Sequence, residues 1–148
     1  MKNKLYLDTS VVSALFDKRT PERMVQTVAA WEVIGDFDVF ISEIVVLELE
    51  RTPHELRSKL TEAIARFPVL PLTDEARELA NEYVSQGIFP AKYYDDALHV
   101  SIASVNGIGV LLSWNFTHLV KMKTRRLVSL VNTMNDYPTV EIISPPEL

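Results

Sequence analysis

Short apolar runs that end in a polar residue and lead directly into helix-patterned sequence constrain this chain more than any other feature it has. Leu5-Tyr6-Leu7 runs into Asp8-Thr9-Ser10, Phe37 to Ile41 into Ser42, and Gly109 to Leu112 into Ser113. Val69-Leu70 and Val140 to Ile143 are further short runs of the same kind. Between them lie segments with helix signals. Thr20-Pro21-Glu22 gives a cap followed by an N1 proline, and Gly35 closes that helix. Ser42 caps a helix from Glu43 to about Arg51, and His54 to Arg66 resumes after Pro53. Thr73-Asp74-Glu75 opens a helix to Ser85 that Gly87 stops, and Tyr94 to Val105 is stopped by Asn106-Gly107. Ser113 to His118 reads as a loop, and a basic helix follows to about Met134. Pro145-Pro146 reads as the end of the ordered chain. Strands alternating with helices predict a central, mostly parallel sheet of four to five strands with helices on both faces. With no linker or repeat, residues 1–148 are expected to form one domain. Sites in open parallel sheets form beyond the carboxyl ends of the strands. Chemistry is therefore expected around Asp8, Ser42 and Ser113.

Composition removes several alternatives. Cysteine is absent, which excludes disulfides, thiolate zinc sites and a thiol nucleophile, and fits a cytoplasmic protein. No apolar run approaches the roughly 18 residues of a membrane span, and Met1 to Lys4 is too short and polar to open a signal peptide. The net charge of -5 is unusual for a nucleic-acid binder. Its distribution is more informative, because Lys121, Lys123, Arg125 and Arg126 crowd one segment with no acid among them. Acids that bind a divalent metal also do not count as bare negative charge.

The acids carry the functional argument, though each has an ordinary explanation. Asp8 follows the first strand and is also a good helix cap. The helix from Glu43 to Glu50 is apolar nearly all round, as a buried helix is, yet carries Glu43, Glu48 and Glu50. At ~100° per residue Glu43 and Glu50 share a stripe and Glu48 points the opposite way. Periodicity does not say which direction is buried, and solvent or Arg51 satisfies any of the three. Asp95 and Asp96 open a helix, where the dipole suits them, and His99 lies one turn on, within reach of Asp95. Asn115 and His118 sit in the loop after the fourth strand, where Asn is a common turn former. Taken together, these residues place carboxylates from distant segments at one sheet edge. Such carboxylates repel unless a cation joins them. Hard divalent cations take oxygen ligands, and a pair of such ions can clamp both oxygens of a phosphodiester displacement.

In these segments the chain resembles the PIN-domain family, in particular the VapC-like toxin nucleases. The matching stretches are Leu5-Tyr6-Leu7-Asp8-Thr9-Ser10, Ile41-Ser42-Glu43 through Glu48-Leu49, Asp95-Asp96-Ala97-Leu98-His99 and Leu112-Ser113-Trp114-Asn115-Phe116, in order over nearly the whole chain. The resemblance implies a PIN-like three-layer α/β fold with Asp8, Glu48 and Asp96 as metal-binding acids. Asn115 stands at the fourth, often acidic, catalytic position, a departure that adds no negative charge. Thr9 and Ser10 match the place where hydroxyls orient a water or phosphate. The implied activity is Mg²⁺- or Mn²⁺-dependent endonucleolytic hydrolysis of RNA, as the toxin of a VapBC-type pair or a close relative. The implied partners are an RNA substrate, a small antitoxin that covers the acidic site, and a second copy of the chain. Val25, Val28 and Trp31 are available either for that dimer or for the core. Arg51, Lys92, Lys121, Lys123, Arg125 and Arg126 are candidate phosphate contacts, each equally readable as a solvated face.

Three rival readings follow from the same residues. Asn115 motivates a catalytically degenerate PIN domain that binds RNA or a partner without cutting. A phosphatase of the haloacid dehalogenase type requires an acid two residues after Asp8, where Ser10 stands. A zinc site built from His54, His99 and His118 lacks short ligand spacing within any one helix.

Overall fold

The computed structural model describes residues 2–148; Met1, part of the expectation about the amino-terminus, lies outside them. The five strands are β1 (Lys4–Leu7), β2 (Asp38–Ser42), β3 (Val69–Leu70), β4 (Val110–Leu112) and β5 (Glu141–Ile143). They form one sheet in the order β3-β2-β1-β4-β5, and every pairing is parallel. Leu5, Tyr6 and Leu7 of the central strand have no solvent exposure, so both faces of β1 are covered. Burial on both faces is why these strands read as unbroken apolar runs. The register pairs Tyr6 with Phe40 on one side and with Leu111 on the other.

The helices are α1 (Thr9–Ala14), α2 (Pro21–Val33), α3 (Glu43–Leu49), α4 (His54–Ile64), α5 (Asp74–Ser85), α6 (Tyr94–Val105) and α7 (Met122–Met134). Their starts follow from local chemistry. Asp8, Ser42 and Thr73 each accept a hydrogen bond from a backbone N–H in the first turn of α1, α3 and α5. α5 and α6 end at Gly87 and Gly107, whose φ values of 77° and 67° favour glycine. Among the described residues no helix is long and apolar enough to cross a membrane.

Several boundaries differ from the sequence expectation, among them the end of α4 at Ile64 instead of Arg66. Ile34 to Asp36 forms a 3-10 turn, so α2 stops at Val33 and β2 starts at Asp38. α3 closes at Leu49, two residues before Arg51, where Glu50 and Arg51 turn the chain toward α4. α7 begins only at Met122, because Leu119 and Val120 are tied by their N–H groups to the Asn115 carbonyl. Pro145-Pro146 does not end the ordered chain. Pro145–Glu147 is a further 3-10 turn, fixed by the Ser144 N–H donating to Glu147 Oε2 at 2.8 Å.

The chain order sets the position of the site. From β1 the chain builds outward to β2 and β3, then returns to the other side of β1 for β4 and β5. The winding reverses at β1, and the crevice beyond the carboxyl end of that reversal is where ligands bind in open parallel sheets. Asp8 follows β1 at this edge, with its N–H on the Leu112 carbonyl, and Ser113 leaves β4 beside it.

Candidate active site

Asp8 is 3% exposed, and its carboxylate is held on three sides. Ser10 Oγ donates to Oδ1 at 2.6 Å, Ser113 Oγ donates to Oδ2 at 2.5 Å, and the Val11 N–H donates to Oδ1 at 3.2 Å. Burial raises its pKa above the ordinary carboxylate range, although the charge of His99 and these hydrogen bonds pull it back. Ser10 Oγ also accepts the Trp114 N–H at 2.9 Å, and Ser113 Oγ accepts the Asn115 N–H at 2.9 Å. The two hydroxyls therefore fasten the loop after β4 to the carboxylate after β1.

Glu48 is the penultimate residue of α3. Its Oε1 accepts from Thr9 Oγ1 at 2.8 Å and pairs with His99 Nε2 at 2.7 Å. This fixes the direction that periodicity left open, since Glu48 is part-buried toward α1 and α6 while Glu43 and Glu50 are exposed. Burial pushes the Glu48 pKa up, but the His99 contact and the Thr9 hydroxyl outweigh it and leave the pKa below the ordinary value. His99, 3% exposed, continues inward. Its Nδ1 contacts the Tyr6 hydroxyl at 2.6 Å, and Tyr6 contacts Ser42 Oγ at 2.7 Å. Burial works against the imidazolium, yet the Glu48 contact and the charges of Asp8, Glu48 and Asp96 raise its pKa above the usual histidine value. His99 therefore pairs with Glu48 across the fold and not with Asp95 on its own helix.

Asp96 is half-buried in the first turn of α6. Burial lifts its pKa, His99 and His118 lower it, and the charges of Asp8 and Glu48 raise it again. Asp96 is thus within electrostatic reach of both Asp8 and Glu48. Among the described residues Asp96 accepts no hydrogen bond. Asn115 stands at the same edge, but its side-chain oxygen accepts the His118 N–H at 2.9 Å, so it serves the turn. Thr9 and Ser10 likewise direct their hydroxyls at the carboxylates.

The candidate cations are distributed unevenly. Arg51 is exposed and close enough to Glu48 to lower its pKa. Lys121 and Lys123 are exposed at the start of α7, where no acid balances them. That segment is tied to the site through His118, whose carbonyl accepts Thr124 Oγ1 and whose ring stacks on Tyr93 at 4.2 Å. Lys92 and Arg126 are exposed, with Lys92 Nζ over the Tyr93 ring and an Arg126 N–H on Met122 Sδ. Arg125 is half-buried and close enough to Glu147 to lower its pKa. The three histidines are not brought together. His54 sits on Arg57 at the surface, His99 is buried on Glu48, and His118 stacks on Tyr93.

Sequence reasoning missed the roles of Ser113, His99 and Tyr6. Ser113 was marked only by its place after β4. His99 and Tyr6 meet partners 51 and 36 residues away, which no local pattern encodes.

The fold and this edge define a class, an all-parallel α/β domain with an acidic cluster where its winding reverses. Residues 5–115 match the family model described as the PIN domain, and the chain belongs to that family. No curated protein matches the chain. Among solved structures it resembles VapBC2 from Rickettsia felis bound to a promoter DNA fragment, with a TM-score of 0.62, 16% identity and 95% and 98% of the two chains covered. It also resembles VapC20 from Mycobacterium tuberculosis, a Sarcin-Ricin loop cleaving toxin, with a TM-score of 0.58, 20% identity and 77% and 92% covered. DNA-bound VapBC from Salmonella typhimurium gives a TM-score of 0.58 at 17% identity, over 97% and 98% of the chains. At these identities the likeness is one of fold.

Proposed function

We propose that the chain is a divalent-metal-dependent endoribonuclease of the cytoplasm, the toxin of a VapBC-type pair or a close relative. The observation that carries this reading is that Asp96 feels the charges of both Asp8 and Glu48 at the carboxyl edge, with the pKa values of Asp8 and Asp96 raised by burial. The donor set fits a hard cation. A carboxylate has about four lone-pair sites. Asp8 has three of them occupied, whereas Glu48 Oε2 and both Asp96 oxygens accept from no described residue. Among the described residues no three His, Asp or Glu side chains already enclose one point. Mg²⁺ suits such an arrangement, because it usually keeps several waters and takes one or two carboxylates; Mn²⁺ suits the same oxygen donors. When bound, the ion supplies Lewis-acid polarisation of the phosphodiester and a more acidic water.

The chain's own residues supply the rest. Ser10 and Ser113 hold the Asp8 carboxylate in one orientation. Thr9 and His99 hold Glu48 Oε1, which leaves Oε2 without a hydrogen-bond partner among the described residues and available to a ligand. Arg51, Lys121 and Lys123 attract the RNA backbone, and Arg125 adds charge behind them. Cations at the start of α7 oppose the helix dipole, and a phosphate there relieves that conflict. An antitoxin covering the acidic edge, suggested by the likeness to a member of the VapBC family of toxin-antitoxin systems, and a homodimer using exposed Val25 and Val28 complete the proposal.

The test is cleavage of labelled RNA by the purified protein with Mg²⁺ or Mn²⁺, with EDTA and Asp96→Asn as controls. Cutting that persists in either control refutes the proposal. Ser113→Ala should lower kcat/KM by about 10- to 100-fold, the usual effect of losing a group that orients a metal ligand. A change below twofold in steady-state kinetics would remove Ser113 from the machinery.

A second reading, a PIN domain that binds without cutting, is favoured by the engagement of Asn115 Oδ1 in its own turn. Asn115→Asp separates the two readings. An aspartate keeps the acceptor for the His118 N–H and adds a charge to the cluster. Under the nuclease reading the Mn²⁺ concentration for half-maximal cleavage should fall by roughly tenfold, since a hydrogen bond or contact to a charged group is worth ~1.5 kcal/mol. If neither parent nor variant cuts any RNA while both bind it, the binding-only reading stands.

A further inference from the structure

A cavity of about 360 Å³ adjoins the acidic cluster and is lined by Ser10, Ser13, Thr20, Arg23, Trp114 and Asn115, among others. Of the residues lining it, only Ser10 and Asn115 belong to the proposed cleavage machinery. Arg23, exposed in the first turn of α2, stands with its guanidinium 5.2 Å from the Trp114 ring centroid and 5.6 Å from that of Phe116. Trp114 is itself fixed, because its Nε1–H donates to Thr27 Oγ1 at 2.8 Å and Thr27 Oγ1 donates to the Arg23 carbonyl at 2.6 Å. Among the described residues Arg23 has no carboxylate partner. The neighbouring acid, Asp17, is occupied by Arg19 through a side-chain pair at 2.9 and 3.1 Å and a backbone N–H at 3.0 Å. A guanidinium placed beside two aromatic rings, with its fork unclaimed by a carboxylate, is set up to receive a phosphate. Phe116 remains 47% exposed beside it and offers a base a face on which to stack.

We propose that this cavity seats one nucleotide of single-stranded RNA next to the scissile bond, with its phosphate on Arg23 and its base against Phe116. The identity of the ligand rests on the ribonuclease reading. A single strand is favoured, because a base inside a duplex must first be unpaired and unstacked before it can stack on a side chain. The hydroxyls of Ser13 and Thr20 line the remaining wall, where a ribose hydroxyl has partners. The seat is rigidly linked to the cluster, since the Trp114 N–H lies on Ser10 Oγ and Ser10 holds Asp8. A nucleotide on Arg23 therefore fixes which phosphodiester reaches the carboxylates.

The test is fluorescence anisotropy with a short fluorescein-labelled single-stranded RNA of mixed sequence. It uses full-length Asp96→Asn protein in EDTA, so that nothing is cut, over a series of KCl concentrations. Arg23→Ala should weaken binding roughly tenfold and reduce the slope of log affinity against log salt by about 0.7, the signature of one lost phosphate contact on a single strand. Phe116→Ala should weaken binding roughly tenfold with the slope unchanged, as loss of one stacked base does. Arg23→Lys should keep the slope and lose part of the affinity. Both side chains are exposed, and thermal melting confirms that the variants fold. Unchanged affinity and slope in Arg23→Ala, or no RNA binding at all, overturns the subsite. Cleavage by the parent protein is scored separately. A protein that cuts RNA with Arg23→Ala indifferent keeps the nuclease reading and loses the subsite. A protein that binds through Arg23 but never cuts keeps the subsite and loses the nuclease reading.

Discussion

Replacing Asp96 by Asn should lower metal-dependent RNA cleavage by at least about 100-fold, since a metal's charge stabilisation in the transition state is worth several kcal/mol, and should leave the metal-free protein as heat-stable as its parent or more so. Loss of activity and retention of stability have one cause. Asp96 is half-buried near Asp8 and Glu48, and burial and those charges raise its pKa in the folded chain. A carboxyl whose folded pKa is raised stabilises the fold when protonated and opposes it when ionised. The conflict is therefore fully present above the folded pKa and is relieved as the pH falls below it toward the unfolded value. Asparagine keeps the shape and removes the charge. A cation that binds the native cluster should raise the parent's melting temperature by mass action and move the variant's little. The measurements are kcat/KM on labelled RNA and thermal melts with and without Mn²⁺. Equal cleavage by variant and parent would falsify the assignment of Asp96. A variant that melts well below the parent without metal would make Asp96 a structural residue.

The fold and the site were legible in the sequence to different depths, for physical reasons. The strands showed because parallel strands buried on both faces are continuously apolar, as Leu5-Tyr6-Leu7 and Val110-Leu111-Leu112 are. Helix starts at Asp8, Ser42 and Thr73 showed because caps act within three residues. The start of α7 did not show, because the Asn115 carbonyl holds Leu119 and Val120 in an irregular loop that their apolar character conceals. The Pro145–Glu147 turn was hidden because two prolines read as a stop while Glu147 reaches back to Ser144. At the site, Asp8 and Asp96 were visible as polar ends of apolar elements. The direction of Glu48 was not visible in periodicity, since two opposite stripes of α3 carry glutamate; the family resemblance singled out Glu48, and the structure sets it against His99. Ser113 was noticed for its position, but its partner lies 105 residues away. Arg23 gave no signal, because its significance depends on Trp114 and Phe116, which only the fold brings to it.

His99→Ala should cost about 2–4 kcal/mol of folding stability, from a buried cavity and newly unpaired polar groups. It should also lower cleavage by about 10- to 100-fold through misplacement of Glu48. The imidazole joins two environments. On its outer side Nε2 holds Glu48 Oε1, and on its inner side Nδ1 meets the fully buried Tyr6 hydroxyl, which reaches Ser42. Removing the ring strands the Tyr6 hydroxyl and deprives a part-buried carboxylate of its strongest partner. Tyr6→Phe removes only the inner contact. It should cost about 1–3 kcal/mol and leave cleavage nearly unchanged, because Thr9 and His99 still hold Glu48. The pH dependence of the metal-free protein gives a second readout. Glu48 is lowered in the folded chain, so its share of stability is present above its unfolded value and is lost as the pH falls through the folded one. His99 is raised, so its share is present below the ordinary histidine value and is lost as the pH rises through the folded one. The stability gap between parent and His99→Ala, taken from urea melts across pH, should therefore be widest between those two limits and narrow on both sides. A gap independent of pH would mean that His99 acts by packing alone. A gap with that profile, together with intact cleavage, would leave the relay a structural device and move the positioning of Glu48 to Thr9.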